Sequence, residues 1–187
     1  MSEPGAIVTG FLCHEDRAMW NDTDIPLAVF FTFRCYGTWL HGDERGSVDR
    51  RYYNRVGTAK IAPDPEKVER KAALLKETPF ILGAIERKIV ADAITEVCIT
   101  RGYGLFAQNV RTNHAHIVVS NSGKPERLMD SFKAYSTKAL RMAGRISANT
   151  KPWSRHGSTR YLWTDEHISQ AVEYVINGQG DELPTFD

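Results

Sequence analysis

Two apolar runs with almost nothing between them restrict this fold more than any other feature of the chain. Residues 103–110 and 114–120 are rich in β-branched, aromatic and other apolar side chains, and only Arg111, Thr112 and Asn113 separate them. So short a connection makes an antiparallel hairpin. Helical patterns flank it on both sides. Before it, residues 81–101 carry Ile85, Ile89, Ala93 and Val97 at a spacing of four and stop near Gly102. After it, Pro125 opens a helix to about Gly144, with Leu128, Phe132, Tyr135 and Ala139 along one stripe.

The rest of the chain completes a pattern. Residues 26–40, PLAVFFTFRCYGTWL, read as a central strand, and residues 159–163 as a fourth strand behind a Gly-, Ser- and Arg-containing loop. Residues 165–178 form a last helix. Residues 42–63 are polar and read as a loop, after which Asp64 and Pro65 suit the N-cap and first position of a helix to residue 75. Pro79 then interrupts before the longer helix. The order β-α-β-β-α-β plus a helix predicts an α+β, ferredoxin-like split βαβ fold. In it an antiparallel sheet carries helices on one face, and a C-terminal helix follows.

At 187 residues the chain is expected to form one domain over 27–187, with an N-terminal arm over 1–26. No apolar stretch approaches the ~18 residues of a membrane span. The first residues lack the basic start and apolar core of a signal peptide. Cys13, Cys35 and Cys98 are scattered and odd in number, as for incidental thiols in a reducing compartment. The expected location is cytoplasmic.

The net charge of +1 hides an uneven distribution. Between residues 124 and 163 stand Lys124, Arg127, Lys133, Lys138, Arg141, Arg145, Lys151, Arg155 and Arg160, against Glu126 and Asp130 alone. Beyond residue 163 the charges are all acidic. The basic segment suits a polyanion, and a solvated helix face explains the same charges equally well.

The hairpin's second strand opens with His114 and His116, which project from one face because residues i and i+2 of a strand do so. Two imidazoles supply two of the donors a divalent metal needs, and a third must come from elsewhere. A satisfied pair of core histidines is the other reading. In the last helix Ile168, Ala171, Val172, Val175 and Ile176 form an apolar stripe, and Tyr174 falls outside it on the side shared with His167 and Gln170. That position suits a phenol presented to a cleft, as well as an ordinary surface tyrosine. Tyr135, within its own helix's stripe, reads as packing.

Four features in this order carry a resemblance. They are Gly37-Thr38-Trp39 on the early strand, His114-Ala115-His116 before Ile117-Val118-Val119, the basic helix around Phe132-Lys133, and Tyr161-Leu162-Trp163 just before the helix of Tyr174. Over roughly residues 27–180 the chain resembles the HUH single-strand nucleases. Among these it looks most like the single-tyrosine transposases of small insertion sequences, especially the REP-associated tyrosine transposases. The resemblance implies His114 and His116 as metal ligands, Tyr174 as nucleophile, and a Gln or Asn one turn further on as third ligand. Here that position is Gly178, flanked by Asn177 and Gln179, so both are carried as ligands.

It also implies one divalent ion, Mg2+ or Mn2+, and single-stranded DNA, beside a hairpin, as partner. The product is a 5′-phosphotyrosine with a free 3′-hydroxyl. A phenol, with a pKa of about 10, is a poor nucleophile unless a metal polarises the phosphate it attacks. Lys133, Lys138, Arg141 and Arg145 are candidates to follow phosphates, and Trp153, Arg155 and Arg160 to stack on bases or hold the backbone. Relatives of the insertion-sequence type imply a homodimer that exchanges tyrosine helices, the REP-associated ones a monomer. A hairpin-binding protein of the same fold that no longer cuts is the alternative, favoured by the altered spacing at Gly178.

Overall fold

The computed structural model describes residues 25–44, 62–120 and 124–178. Most of the expected arm, most of the 42–63 loop, and Gln179 lie outside the described residues. The elements are β1 (Ala28–Cys35), α1 (Pro65–Ala73), α2 (Ala84–Arg101), β2 (Leu105–Val110), β3 (His114–Ser120), α3 (Pro125–Met142), β4 (Trp153–Leu162) and α4 (Asp165–Asn177). The strands form one sheet in the order β2-β3-β1-β4, every neighbouring pair antiparallel. This is the split βαβ arrangement expected from the sequence, an α+β fold. Among the described residues, no helix is long and apolar enough to cross a membrane.

The alternation along β1 divides the molecule. Val29, Phe31, Phe33 and Cys35 are buried with Val90, Ile94, Val97, Phe132 and Leu140 of α2 and α3. Phe31 meets Phe132 edge-on, with ring centroids 5.8 Å apart. Each such aromatic or aliphatic side chain stabilises the fold by about 1.5–3 kcal/mol relative to exposure. On the opposite face Ala28, Ala107, Val118 and Leu162 meet Ala171 and Val175, with Ile168, Val172 and Ile176 packed around them. The predicted stripe of α4 is therefore the face it buries. The predicted helix start at Asp64 also holds, since its carboxylate accepts the Lys67 N–H at 2.9 Å.

Other boundaries and faces differ from the sequence reading. β1 ends at Cys35, not residue 40, because the chain turns through Gly37 at φ 71°, so Gly37-Thr38-Trp39 lies beyond the strand. The Thr38 hydroxyl, 3.0 Å from the Cys35 carbonyl and 3.3 Å from that of Asn113, pins this turn to the hairpin. α2 starts at Ala84 and buries Val90, Ala93, Ile94, Val97 and Cys98, while Ile85 is exposed. A strict spacing of four drifts about 40° per step at ~100° per residue, so such a series walks off the face. α3 buries Met129, Lys133, Ser136 and Leu140 alongside Leu128 and Phe132, and leaves Tyr135 exposed under the Arg101 guanidinium. Its true face carries two polar residues, so hydrophobicity pointed to the neighbouring stripe. β4 starts at Trp153, not residue 159, which puts Trp153 and Arg155 on a strand instead of a loop. An edge strand this polar is defined by pairing with β1, which no side-chain pattern reports.

Candidate functional site

Directly opposed residues of neighbouring strands share a face. Thr32 pairs with His116 on one side and Ser158 on the other, Arg34 pairs with His114, and Phe30 pairs with Arg160. Three adjacent strands thus send a polar set toward the α4 side. Helix α4 covers only part of this face. Its N-cap, Thr164, accepts the His167 N–H at 3.1 Å, and Asn109 of β2 donates from Nδ2 to the Val175 carbonyl at 3.0 Å. Held at both ends and by its apolar stripe, the helix brings His167, Gln170 and Tyr174 along a cleft of about 610 Å³, whose opposite wall includes Arg34, Trp39, His114, His116 and Arg160.

Tyr174 stands edge-on to His116, ring centroids 5.6 Å apart, and to Phe30 at 6.0 Å. His114 and His116 are 4.6 Å apart. His116 is 7% exposed and Tyr174 47%, so the imidazole forms the floor and the phenol the open edge. Both imidazoles are oriented through Nδ1. His114 Nδ1 lies 2.6 Å from Asn113 Oδ1, and His116 Nδ1 lies 2.7 Å from Thr32 Oγ1. Where Nδ1–H donates to these oxygens, Nε2 of each ring keeps its lone pair, the usual preparation of a metal-ligating histidine. Burial, reinforced by the charges of His114, Arg34 and Arg111, pushes His116 down to about 3, so its ring is neutral at physiological pH.

Two imidazoles with oriented rings, that of His116 neutral, fit a divalent cation as far as they go. Among the described residues no group of three or more His, Cys, Asp and Glu side chains converges to complete a site. Asn177 does not line the cleft, and its amide donates to Glu173 Oε1 at 2.7 Å. Gln179 lies outside the described residues. Gly178 lines the cleft, and a Cβ built there would lie 2.7 Å from Tyr174 Cδ2, so the tyrosine ring occupies the space a side chain at that position would need.

Of the basic candidates only Arg160 reaches the cleft. Lys133, Lys138 and Arg141 belong to α3, whose buried face packs on the opposite side of the sheet, and Arg145 lies just beyond its end. Lys133 is itself buried and donates to the Ser154 carbonyl at 3.0 Å, with its pKa lowered by that burial. Arg141 reaches the Thr150 carbonyl and Arg145 pairs with Glu86 of α2, while Lys138 is exposed. Trp153 packs edge-on against Phe33 and donates its indole N–H to the Lys133 carbonyl and Thr137 Oγ1, so it is not free to stack on a base. Arg155 is exposed on β4 and does not line the cleft. The sequence reading missed Thr32 and Arg34, and named Trp39 only within the Gly37-Thr38-Trp39 feature. Thr32 and Arg34 are the polar positions of FFTFRC, a visible alternation, but only the register shows that they face the histidines.

No family model matches the chain, and no curated protein matches it. Among solved structures it is similar to a REP-associated tyrosine transposase bound to a REP hairpin, at 11% sequence identity and a TM-score of 0.43, the match covering 88% of this chain and 70% of that one.

Proposed function

We propose that this protein is a metal-dependent enzyme that nicks single-stranded DNA and transfers the strand through Tyr174. The observation that carries the reading is the placement of the Tyr174 ring against His116, 5.6 Å between centroids, with His114 beside it in one cleft. His114 and His116 would hold the ion, Mg2+ or Mn2+, with Gln179 as the third side-chain ligand. Bound there, it would polarise the scissile phosphate and offset the charge that develops on it. The Tyr174 oxygen forms a bond to phosphorus as the bond to the 3′-oxygen breaks. The phenol gives up its proton and the leaving 3′-oxygen takes one. The result is a 5′-phosphotyrosine and a free 3′-hydroxyl. One phosphodiester replaces another, so rejoining to a second strand needs no external energy source. The exposed ring edge of Tyr174 and the open cleft suit a flexible single strand, since a base-paired duplex would not lay its backbone over the recessed His116.

A 5′-extended, 3′-labelled single strand beside a hairpin, incubated with the protein and Mn2+, is expected to give a covalent adduct that survives a denaturing gel. Tyr174→Phe is expected to abolish it. An adduct undiminished in that variant overturns the role of Tyr174. A second reading, a hairpin binder that does not cut, is favoured by Gly178 standing where the third ligand is expected and by Asn177 bonding Glu173. Under it the wild type gives no adduct, and the double variant His114→Ala/His116→Ala binds the hairpin as tightly as the wild type with or without Mn2+.

A further inference from the structure

We propose that Arg34 and Arg160 form a phosphate clamp that brackets the reaction centre, each holding a backbone phosphate on one side of the phosphate that faces Tyr174. The inference rests on the reading of the cleft as a single-strand site and adds the path the strand takes through it.

The first observation is the composition of the cleft. Its lining includes two arginines and three histidines, and among the described residues that line it none is Asp or Glu. In a chain with 24 basic and 23 acidic residues, a sizeable cleft whose described lining is cationic suits an anion. The charge does not come from the conspicuous basic helix, because Lys133 and Arg141 of α3, and Arg145 just after it, make internal contacts.

The second observation is the placement of the two arginines along the sheet. Arg34 lies on β1, paired with His114, while Arg160 on β4 stands opposite Phe30, four residues back along β1. At ~3.3 Å per residue and ~4.8 Å between strands, their Cα positions are about 14 Å apart. Tyr174 touches Phe30 and His116, and His116 is opposite Thr32, so the phenol lies between the two arginines along the strand direction. A linear polyanion whose charges repeat along a flexible backbone can meet both and present an intermediate charge to the centre. Guanidinium suits this task because its planar donor fork matches phosphate oxygens.

The third observation concerns preparation. Just past the turn at Gly37, Trp39 comes back over Arg34, whose guanidinium carbon lies 3.5 Å from the indole centroid. The stack restricts the side chain before any ligand arrives, so less conformational freedom is lost on binding. Arg34 is also close enough for its charge to be felt at His116, where it helps keep that imidazole neutral.

The test is the salt dependence of binding to a fluorescein-labelled oligothymidylate, followed by anisotropy. It uses Tyr174→Phe protein with a chelator, so neither metal nor covalent chemistry contributes. Each phosphate contact on a single strand contributes about −0.7 to the slope of log K against log salt. Arg34→Gln and Arg160→Gln are each expected to make the slope shallower by about 0.7, and the double variant by about 1.4. Arg34→Lys and Arg160→Lys are expected to keep the wild-type slope, as is Lys88→Gln on α2, whose ion pair with Asp92 is remote from the cleft. Slopes unchanged in both Gln variants overturn the clamp. So does loss of slope in the Lys variants equal to that in the Gln variants, which marks damage to the fold. The adduct assay reads Tyr174 and the slope reads the arginines, so failure of either leaves the other standing.

Discussion

The burial of a neutral His116 predicts that the metal-free protein is sensitive to mild acid. The imidazole falls from its ordinary value of 6.5 to about 3, mainly through burial and then through the charges of His114, Arg34 and Arg111. Between those values the unfolded chain binds a proton that the folded protein refuses, so stability falls as pH falls through that window. Above about 6.5 the group is neutral in both states and contributes no slope. Each unit corresponds to about 1.4 kcal/mol, so lowering the pH from about 7.5 to about 5 costs roughly 2 kcal/mol from this residue. That is a large part of a typical net stability of about 5–15 kcal/mol. Glu86, held low by its Arg145 partner, loses its contribution only below the ordinary carboxylate value of 4.5, outside this window. The assay is urea unfolding at both pH values with a chelator present, in the wild type and in His116→Gln. Gln fills much of the same space and does not titrate. The wild type is expected to lose about 2 kcal/mol more than the variant. Equal losses in the two proteins would refute the buried, neutral imidazole, and with it the reason given for its readiness to take a cation.

Three other outcomes follow from the geometry. Gly178→Ala places a Cβ 2.7 Å from Tyr174 Cδ2 and 2.8 Å from the Tyr174 carbonyl oxygen, so the ring must move from His116. The rate of adduct formation in single turnover is expected to fall by about ten- to a hundredfold with the circular dichroism unchanged. Thr32→Val removes the oxygen that orients His116 through Nδ1, and Mn2+ affinity by calorimetry is expected to drop about ten- to a hundredfold while Thr32→Ser retains it. Phe31→Ala empties a fully buried position packed on Phe132 and is expected to cost about 3–5 kcal/mol in urea unfolding, a loss unrelated to the cleft on the other face.

The order of elements was legible before any coordinates, because each element writes its own period into the chain. The hairpin at residues 103–120 needed only two apolar runs and a short connection, and helix α4 needed only the spacing of Ile168, Ala171, Val172, Val175 and Ile176. The same stripe put Tyr174 off the buried face, where the structure has it half exposed beside His116. Local chemistry also marked Asp64 as a cap, since an N-cap depends on the next three residues alone.

What failed depended on partners distant in the chain. Tyr135 belongs to an apolar stripe in α3, yet the face that α3 buries is the one carrying Lys133 and Ser136, a choice made by α2 and β4. β4 begins at Trp153 because it pairs with β1, and its exposed polar residues carry no periodic signal. The cleft was the least legible part. Its histidines, tyrosine and arginines come from β3, α4, β1 and β4, and their meeting follows from strand register. A slip of one residue in β1 would turn Thr32 and Arg34 to the opposite face and bring Phe31 and Phe33 out. That register is held by the phenylalanines buried under α2 and α3. The sequence by itself thus determined the elements, the face shared by His114 and His116, and the side of its helix on which Tyr174 stands. Only packing on the far side of the sheet decided which of them face one another, because register is a property of paired strands and no single strand contains it.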